Sequence, residues 1–299
     1  MTLNPASEVV AASATPAERG ILLIAYNRPA PLKNTLASLN EAIEELSRHA
    51  PQITPRLYAA LDGPRDTPDD QRATAEVQRA IRAAMPTAEI AAQSQNRGLP
   101  SLLVDSLDQI FATSGINQLI CVEDDVQLAP TALLALFHAA DLIENHRGDA
   151  TATAGYVVGG TPLHRDGSLE HQLLLISRNA WSVAKPFLAR YIAKFALDGR
   201  TTPGAYGARD HAAIFRWSAE LARAAGVPAP DGTSQDRMRE LSWRIAGTHL
   251  YGLPFRVVRH RGLWGQHNTP WHALRTGQLF QRLDQRSWDA LKRELNSTR

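Results

Sequence analysis

The 299-residue chain predicts an α/β fold, a mostly parallel sheet with helices on both faces. Three observations carry that reading. Short apolar runs at residues 20–25, 57–61 and 119–122 suit strands covered on both sides, since a parallel strand between helices has no solvated face. Polar loops and then stretches with helical apolar spacing follow these runs. Three consecutive acids, Glu123, Asp124 and Asp125, close the run at 119–122, at the strand end where open α/β sheets bind ligands.

Composition narrows the function. The chain is 44% hydrophobic and 21% charged with a formal net charge of +2, which argues against non-specific nucleic-acid binding as its main task. One cysteine, Cys121, excludes an internal disulfide framework and a cysteine-based zinc site, and its apolar setting predicts a buried thiol. Residues 1–19 are rich in Ala, Ser and Pro and lack the basic start and apolar run of a signal peptide, so they read as a disordered lead-in. No stretch approaches the ~20 apolar residues of a membrane span. The expected compartment is the cytoplasm, with peripheral contact at the inner face of the membrane left open.

The first strand, 20–25, breaks at Tyr26-Asn27-Arg28-Pro29, and a helix over 31–46 follows with Leu32, Leu36, Leu39, Ile43 and Leu46 on one face. The second strand, 57–61, ends at Asp62-Gly63-Pro64-Arg65, an acid placed to reach a base or ribose, or an ordinary turn. A charged amphipathic helix over 69–85 reads as a solvated outer face, and 89–92 as a short third strand. Asn96-Arg97-Gly98-Leu99-Pro100 then opens a helix over 101–111 that leads to the strand bearing the acids. The glycine fingerprints of a dinucleotide site and of a P-loop are both absent from these loops, which favours a mononucleotide held through acids.

Three adjacent carboxylates repel one another, and the expectation is that they emerge from the sheet edge rather than lie buried. A hard divalent cation shared with substrate phosphates would relieve the repulsion; an acidic turn is the plainer alternative.

The carboxyl half is less regular. A helix spans 131–145, and a strand-like run over 151–160 ends in Gly159-Gly160. Residues 173–182 precede an amphipathic helix, with Trp181 open to a core or a sugar-platform role. Residues 202–232 suggest loops around a short helix. Thr233 to Arg237 introduces a helix through Trp243 and Ile245, 255–258 reads as a strand, and 262–269 as a loop. The last segment, 276–299, reads as an amphipathic helix available for self-association or an anionic membrane surface.

The stretch 21–39 with Ala25-Tyr26-Asn27-Arg28-Pro29, then Asp62-Gly63-Pro64-Arg65, Asn96-Arg97-Gly98 and Glu123-Asp124-Asp125 resemble, in order and spacing, the GT-A nucleotide-sugar glycosyltransferases. The likeness is to family 2-like bacterial enzymes with an Asp-Gly-Pro-Arg turn and a Glu-Asp-Asp metal motif. The N-acetylglucosaminyltransferase I group also carries Glu-Asp-Asp. It covers roughly 20–269 and is densest before 145.

This resemblance implies a Rossmann-like GT-A domain over 20–275, with a nucleotide-binding half (20–145) and a smaller acceptor-side half (146–275). It implies a nucleotide-diphosphate sugar donor, a UDP-sugar first, with Mn2+ or Mg2+ and a glycan, glycolipid or small-molecule acceptor. Ala25, Tyr26, Asn27 and Arg28 would line the nucleotide site, Asp62 would reach the base or ribose, and Arg65 and Asn96 would belong to the same donor-binding set. Arg97 would orient the acids or the diphosphate. Glu123 and Asp124 would face the sugar, the ribose or metal-bound water, and Asp125 would bind the metal directly.

His267, with His260 and His272 nearby, would complete the metal or diphosphate site. Asp236 would be the base of an inverting transfer, with Asp210 in reserve; a helix N-terminal acid on the macrodipole is its alternative role. Departures from the family are the loss of a Trp-rich segment, of which only Trp181 remains, and Gln235 where a Trp is expected before Asp236. The expected activity is metal-dependent glycosyl transfer with inversion. A sugar-1-phosphate nucleotidyltransferase is a rival disfavoured by the loop Tyr26-Asn27-Arg28-Pro29, which lacks a Gly-rich basic sequence. A non-catalytic binding protein on a transferase fold is the other.

Overall fold

A computed structural model describes residues 18–146, 154–195, 210–261 and 281–297. At its centre lies β1 (Arg19–Ala25), paired in parallel with β2 (Arg56–Leu61) on one side and β4 (Gln118–Glu123) on the other. β3 (Glu89–Ala92) adds to β2 in parallel. Beyond β4 the sheet continues through β7 (Leu173–Ser177), β6 (Tyr156–Gly159) and β8 (His249–Gly252), in the order β3-β2-β1-β4-β7-β6-β8. Among the described strands of this sheet only β7 runs against the others, pairing antiparallel with both its neighbours. The predicted class, a mostly parallel sheet with helices on both faces, is what the chain adopts.

Strand alternation builds two cores. Ile21 and Leu23 of β1 face α1 (Pro29–His49), α2 (Pro68–Ala84) and α4 (Ala132–His146). Leu22 and Ile24 face α3 (Leu99–Thr113), α5 (Arg178–Lys194) and α7 (Gln235–Ile245). A residue and its successor point to opposite sides of a strand, so a continuous apolar run is needed when both sides are covered.

Several expectations shift. The helix in the stretch 202–232 is α6 (His211–Ala225), four turns long, stopped by Gly226 in the left-handed conformation at φ 68°. The strand expected over 255–258 is instead β9 (Val258–His260), because pairing with β5 (Val126–Leu128) decides its register. The terminal helix, α8, occupies Trp288–Ser297 rather than the whole of 276–299. Its apolar face is already used: Trp288, Leu291 and Leu295 are buried in the core beside α4, so that face is not open to self-association or a membrane. Trp181, open between two roles, is buried within the core of the α3–α5–α7 face. Among the described residues no helix is long and apolar enough to cross a membrane.

Candidate active site

The ends of β1, β2 and β4 lie side by side, so their loops form one edge. Pro29 opens α1, a position where the missing N–H costs nothing, and this leaves Arg28 at the helix cap with its side chain turned to the acids. Arg28 Nη1 contacts Asp125 Oδ2 at 2.5 Å, and Nη2 pairs with Asp124 Oδ1. The Tyr26 amide donates to Asp124 Oδ2 at 3.1 Å. His260 Nε2 lies 3.0 Å from Asp125 Oδ2, carried there by the β5–β9 pairing that sets His260 opposite Val126.

These contacts correct one expectation: Asp124 and Asp125 are each only 2% exposed. They tolerate burial because the half-buried Arg28 guanidinium and the Tyr26 amide bind their oxygens. Burial still pushes the Asp124 carboxyl up, against the pull of Arg28. Asp125 ends below its ordinary value: burial works the other way, but the hydrogen bond from His260 and the charge of Arg28 outweigh it. Asp125 Oδ1 is buried with no hydrogen-bond partner among the described residues.

Tyr26 and Asn27 have a partner that the sequence reading missed. The Tyr26 hydroxyl donates to Asp70 Oδ2 at 2.6 Å, Asn27 Nδ2 donates to Asp70 Oδ1, and the Arg65 amide donates to Asp70 Oδ2 at 2.5 Å. Arg65 lies over the Tyr26 ring at 5.9 Å. Asp70 stands on the helix assigned to a solvated face, yet it is buried and ties the loop after β1 to the loop after β2. Its signal was present: Thr67 caps α2 by accepting from the Asp70 amide, and an acid three residues after a Thr cap marks a helix start.

Asp62 and Arg97 have partners within the loops and α3. Asp62 Oδ1 accepts from the amides of Gly63 (2.9 Å) and Arg97 (2.7 Å), and Oδ2 accepts from Asn96 Nδ2 (2.9 Å) and the Gly98 amide (3.0 Å). Four donors fill the lone-pair capacity of a carboxylate, and through them Asp62 joins two loops. The junction is tight: a Cβ on Gly63 would lie 2.3 Å from the Gln95 backbone. Arg97 pairs its Nη1 with Asp105 of α3.

Across the edge stands α7. Ser234 caps it, and Asp236 in its first turn contacts Arg239 Nη2 at 3.1 Å. The same nitrogen lies 3.1 Å from His171 Nδ1. Arginine only donates, so Nδ1 accepts and the His171 proton sits on Nε2, which donates to Glu240 Oε2 at 3.0 Å. Glu240 also takes the Leu169 amide (3.2 Å) and two bonds from Arg244 (3.0 and 2.7 Å). Trp243 underlies the group, parallel to His171 within 6° and 5.5 Å from the Arg239 guanidinium carbon. The i, i+3 and i, i+4 ladder of Asp236, Arg239, Glu240 and Arg244 was legible in the sequence; His171, far off in the chain, carried no signal.

Glu123 connects the two sides. A narrow cleft is lined by Glu123, Cys121 and Ile24 from the strands and by His171, Asp236 and Arg239 from the other side. Burial, then the charges of Asp236 and Asp125, push the Glu123 carboxyl well above the ordinary range. Burial raises the Cys121 thiol to about 12, which leaves it an inert apolar residue. Asp210, the reserve base, caps α6 by accepting from the Ala213 amide at 2.9 Å and is exposed. His267 lies outside the described residues.

No family model matches the chain, and no curated protein matches it. Among solved structures it is similar to the galactosyltransferase LgtC in complex with donor and acceptor sugar analogs, at 11% identity and a TM-score of 0.40 over 90% of this chain and 98% of that one. A Desulfovibrio desulfuricans G20 protein described as a nucleotide-diphospho-sugar transferase shares 14% identity, with a TM-score of 0.39 over 93% and 98%. S. aureus TarS 1–349 in complex with UDP-GlcNAc shares 14%, with a TM-score of 0.32 over 49% of this chain; the match spans about a third (34%) of that structure's length. Scores and identities this low assign neither family nor activity, and the chemistry rests on the site's own geometry.

Proposed function

We propose that the chain is a GT-A-type glycosyltransferase that moves a sugar from a nucleoside-diphosphate donor to an acceptor hydroxyl with inversion. The observation that carries this reading is the shared cleft: Glu123, the first acid of the motif and the last residue of β4, and Asp236, in the first turn of α7, line it together. The resemblance of the loop motifs supports a nucleotide on the Tyr26–Arg28 side.

In the transfer, Asp236 takes the proton of the acceptor hydroxyl as its oxygen bonds to the anomeric carbon. The bond from that carbon to the diphosphate breaks, and its electron pair leaves with the diphosphate. Arg239 holds Asp236 in place and Arg28 offers a guanidinium to the phosphates.

The acids bear on the expected Mn2+ or Mg2+. Asp125 Oδ1, a buried carboxylate oxygen without a partner among the described residues, fits a hard cation, and Asp125 would hold it. Bound there, the ion would supply charge neutralisation to the departing diphosphate.

A thermal-shift panel of nucleoside diphosphates and nucleotide sugars, each with and without Mn2+, tests the reading. Ligand at 100 times Kd should stabilise the native state by about 2.7 kcal/mol. A shift with one nucleotide class, lost in Asp125→Ala, supports it. No shift with any nucleotide in either condition would overturn it and leave the non-catalytic binding protein.

A further inference from the structure

A buried carboxylate needs a counter-charge beside it, and among the described residues Asp124 and Asp125 share the Arg28 guanidinium. The Arg28 guanidinium forks onto both, Nη1 to Asp125 Oδ2 at 2.5 Å and Nη2 to Asp124 Oδ1. It therefore stands where a cation would stand to touch the two acids together. The remaining oxygens are largely committed. Asp124 Oδ2 accepts the Tyr26 amide, and Asp125 Oδ2 also faces His260 at 3.0 Å. Asp125 Oδ1 is left, buried and without a partner among the described residues. Among those residues no group of three or more His, Cys, Asp or Glu is arranged to hold a metal ion.

Charge counting turns this arrangement into a rule about order. Two carboxylates and one guanidinium sum to −1, so a free divalent ion arriving at Asp125 Oδ1 gains one uncompensated charge and meets the positive Arg28. A nucleoside diphosphate changes the sum. It brings two or more negative charges and paired oxygens of the geometry a guanidinium binds with two parallel bonds. The Arg28 side chain is 34% exposed while both carboxylates are at 3%, so the guanidinium is the partner with solvent to turn into.

We propose that Arg28 is a resident counter-ion: it closes the acid pair to a free divalent ion and releases Asp125 only when a nucleoside diphosphate takes the guanidinium. The nucleotide half of this rests on the proposed function; the counter-ion half does not.

Mn2+ binding, read from the EPR signal of the free ion, tests both halves in the full chain with and without UDP. Arg28→Gln should bind Mn2+ alone about tenfold or more tighter than the unaltered protein, and adding Asp125→Asn should remove the gain. UDP should raise Mn2+ uptake by the unaltered protein and add little in Arg28→Gln. If Arg28→Gln fails to fold, Arg28→Lys serves, because one ammonium reaches only one carboxylate at a time and should give a smaller gain in the same direction.

Equal Mn2+ affinity in the unaltered protein and the folded Arg28 variant would overturn the counter-ion. A gain in the variant, with neither UDP nor other nucleoside diphosphates having any effect, would overturn the nucleotide release and the proposed function while the counter-ion stands.

Discussion

On one side of the site, Asp124 and Asp125 share a single arginine that is itself one-third exposed, and Asp125 keeps an oxygen with no partner among the described residues. On the other, Glu240 accepts four hydrogen bonds from His171, Leu169 and Arg244, and Trp243 backs the group. Both sides bury charge. The acid pair leans on one partly exposed guanidinium that can be exchanged, whereas the α7 side is braced from several directions. A side that must accept a charged ligand profits from the first design, and a side that must hold one carboxylate in position profits from the second.

The sharpest test of that contrast is catalytic. With a donor identified by the nucleotide panel, Asp236→Asn should lower the transfer rate by about 10²–10⁴-fold, the span of a lost general base, while thermal stability changes little. A loss of stability without a loss of rate would make Asp236 a structural helix acid.

Next in size is stability. Glu240→Ala strands His171 and Arg244 and should cost about 3–5 kcal/mol in urea denaturation. Arg28→Gln should cost about half as much, since water reaches a partly exposed site more easily. The reverse ranking would break the comparison.

Asp62→Asn sharpens it at the loop junction. An amide turns one donor group toward donors, so about 2 kcal/mol should be lost, with faster hydrogen exchange at the Arg97 and Gly98 amides.

The smallest effect is in pH. His171 is held below its ordinary 6.5 by burial, against the hydrogen bond to Glu240 and the charge of Asp236, with Arg239 pushing it further down. Below 6.5 the unfolded chain therefore binds a proton that the native imidazole refuses, and stability falls as pH drops toward the native value. Glu240 lies below its ordinary 4.5: burial raises it, but the bonds from His171 and Arg244 prevail. Its contribution is present above 4.5 and is lost as pH falls through the native value. The pH dependence of the urea midpoint should thus steepen twice, by at most about 1.4 kcal/mol per pH unit for each proton. His171→Gln should remove the step that begins near 6.5 and leave the lower one.

Much of the amino half was legible before any fold was seen. Apolar runs buried on both faces, Pro29 at a helix start and acids at a strand end are local facts, and the strand edge they mark is where the cleft lies. The carboxyl half was harder because its strands are short and pair with distant ones. β9 takes its register from β5, and β7 fits between β4 and β6, which no window of sequence contains.

The sequence by itself determined the α/β class, the polar loops at the carboxyl edge and the residue types available there. Only the tertiary structure decided their partners: that Arg28 would neutralise two buried acids, that Asp62 would spend its carboxylate on loop amides, and that Asp70, His171 and His260 would join the site. Strand and helix periodicity follow from neighbours a few residues apart. The charge state and reach of a buried side chain follow from whatever group, from anywhere in the chain, is buried with it.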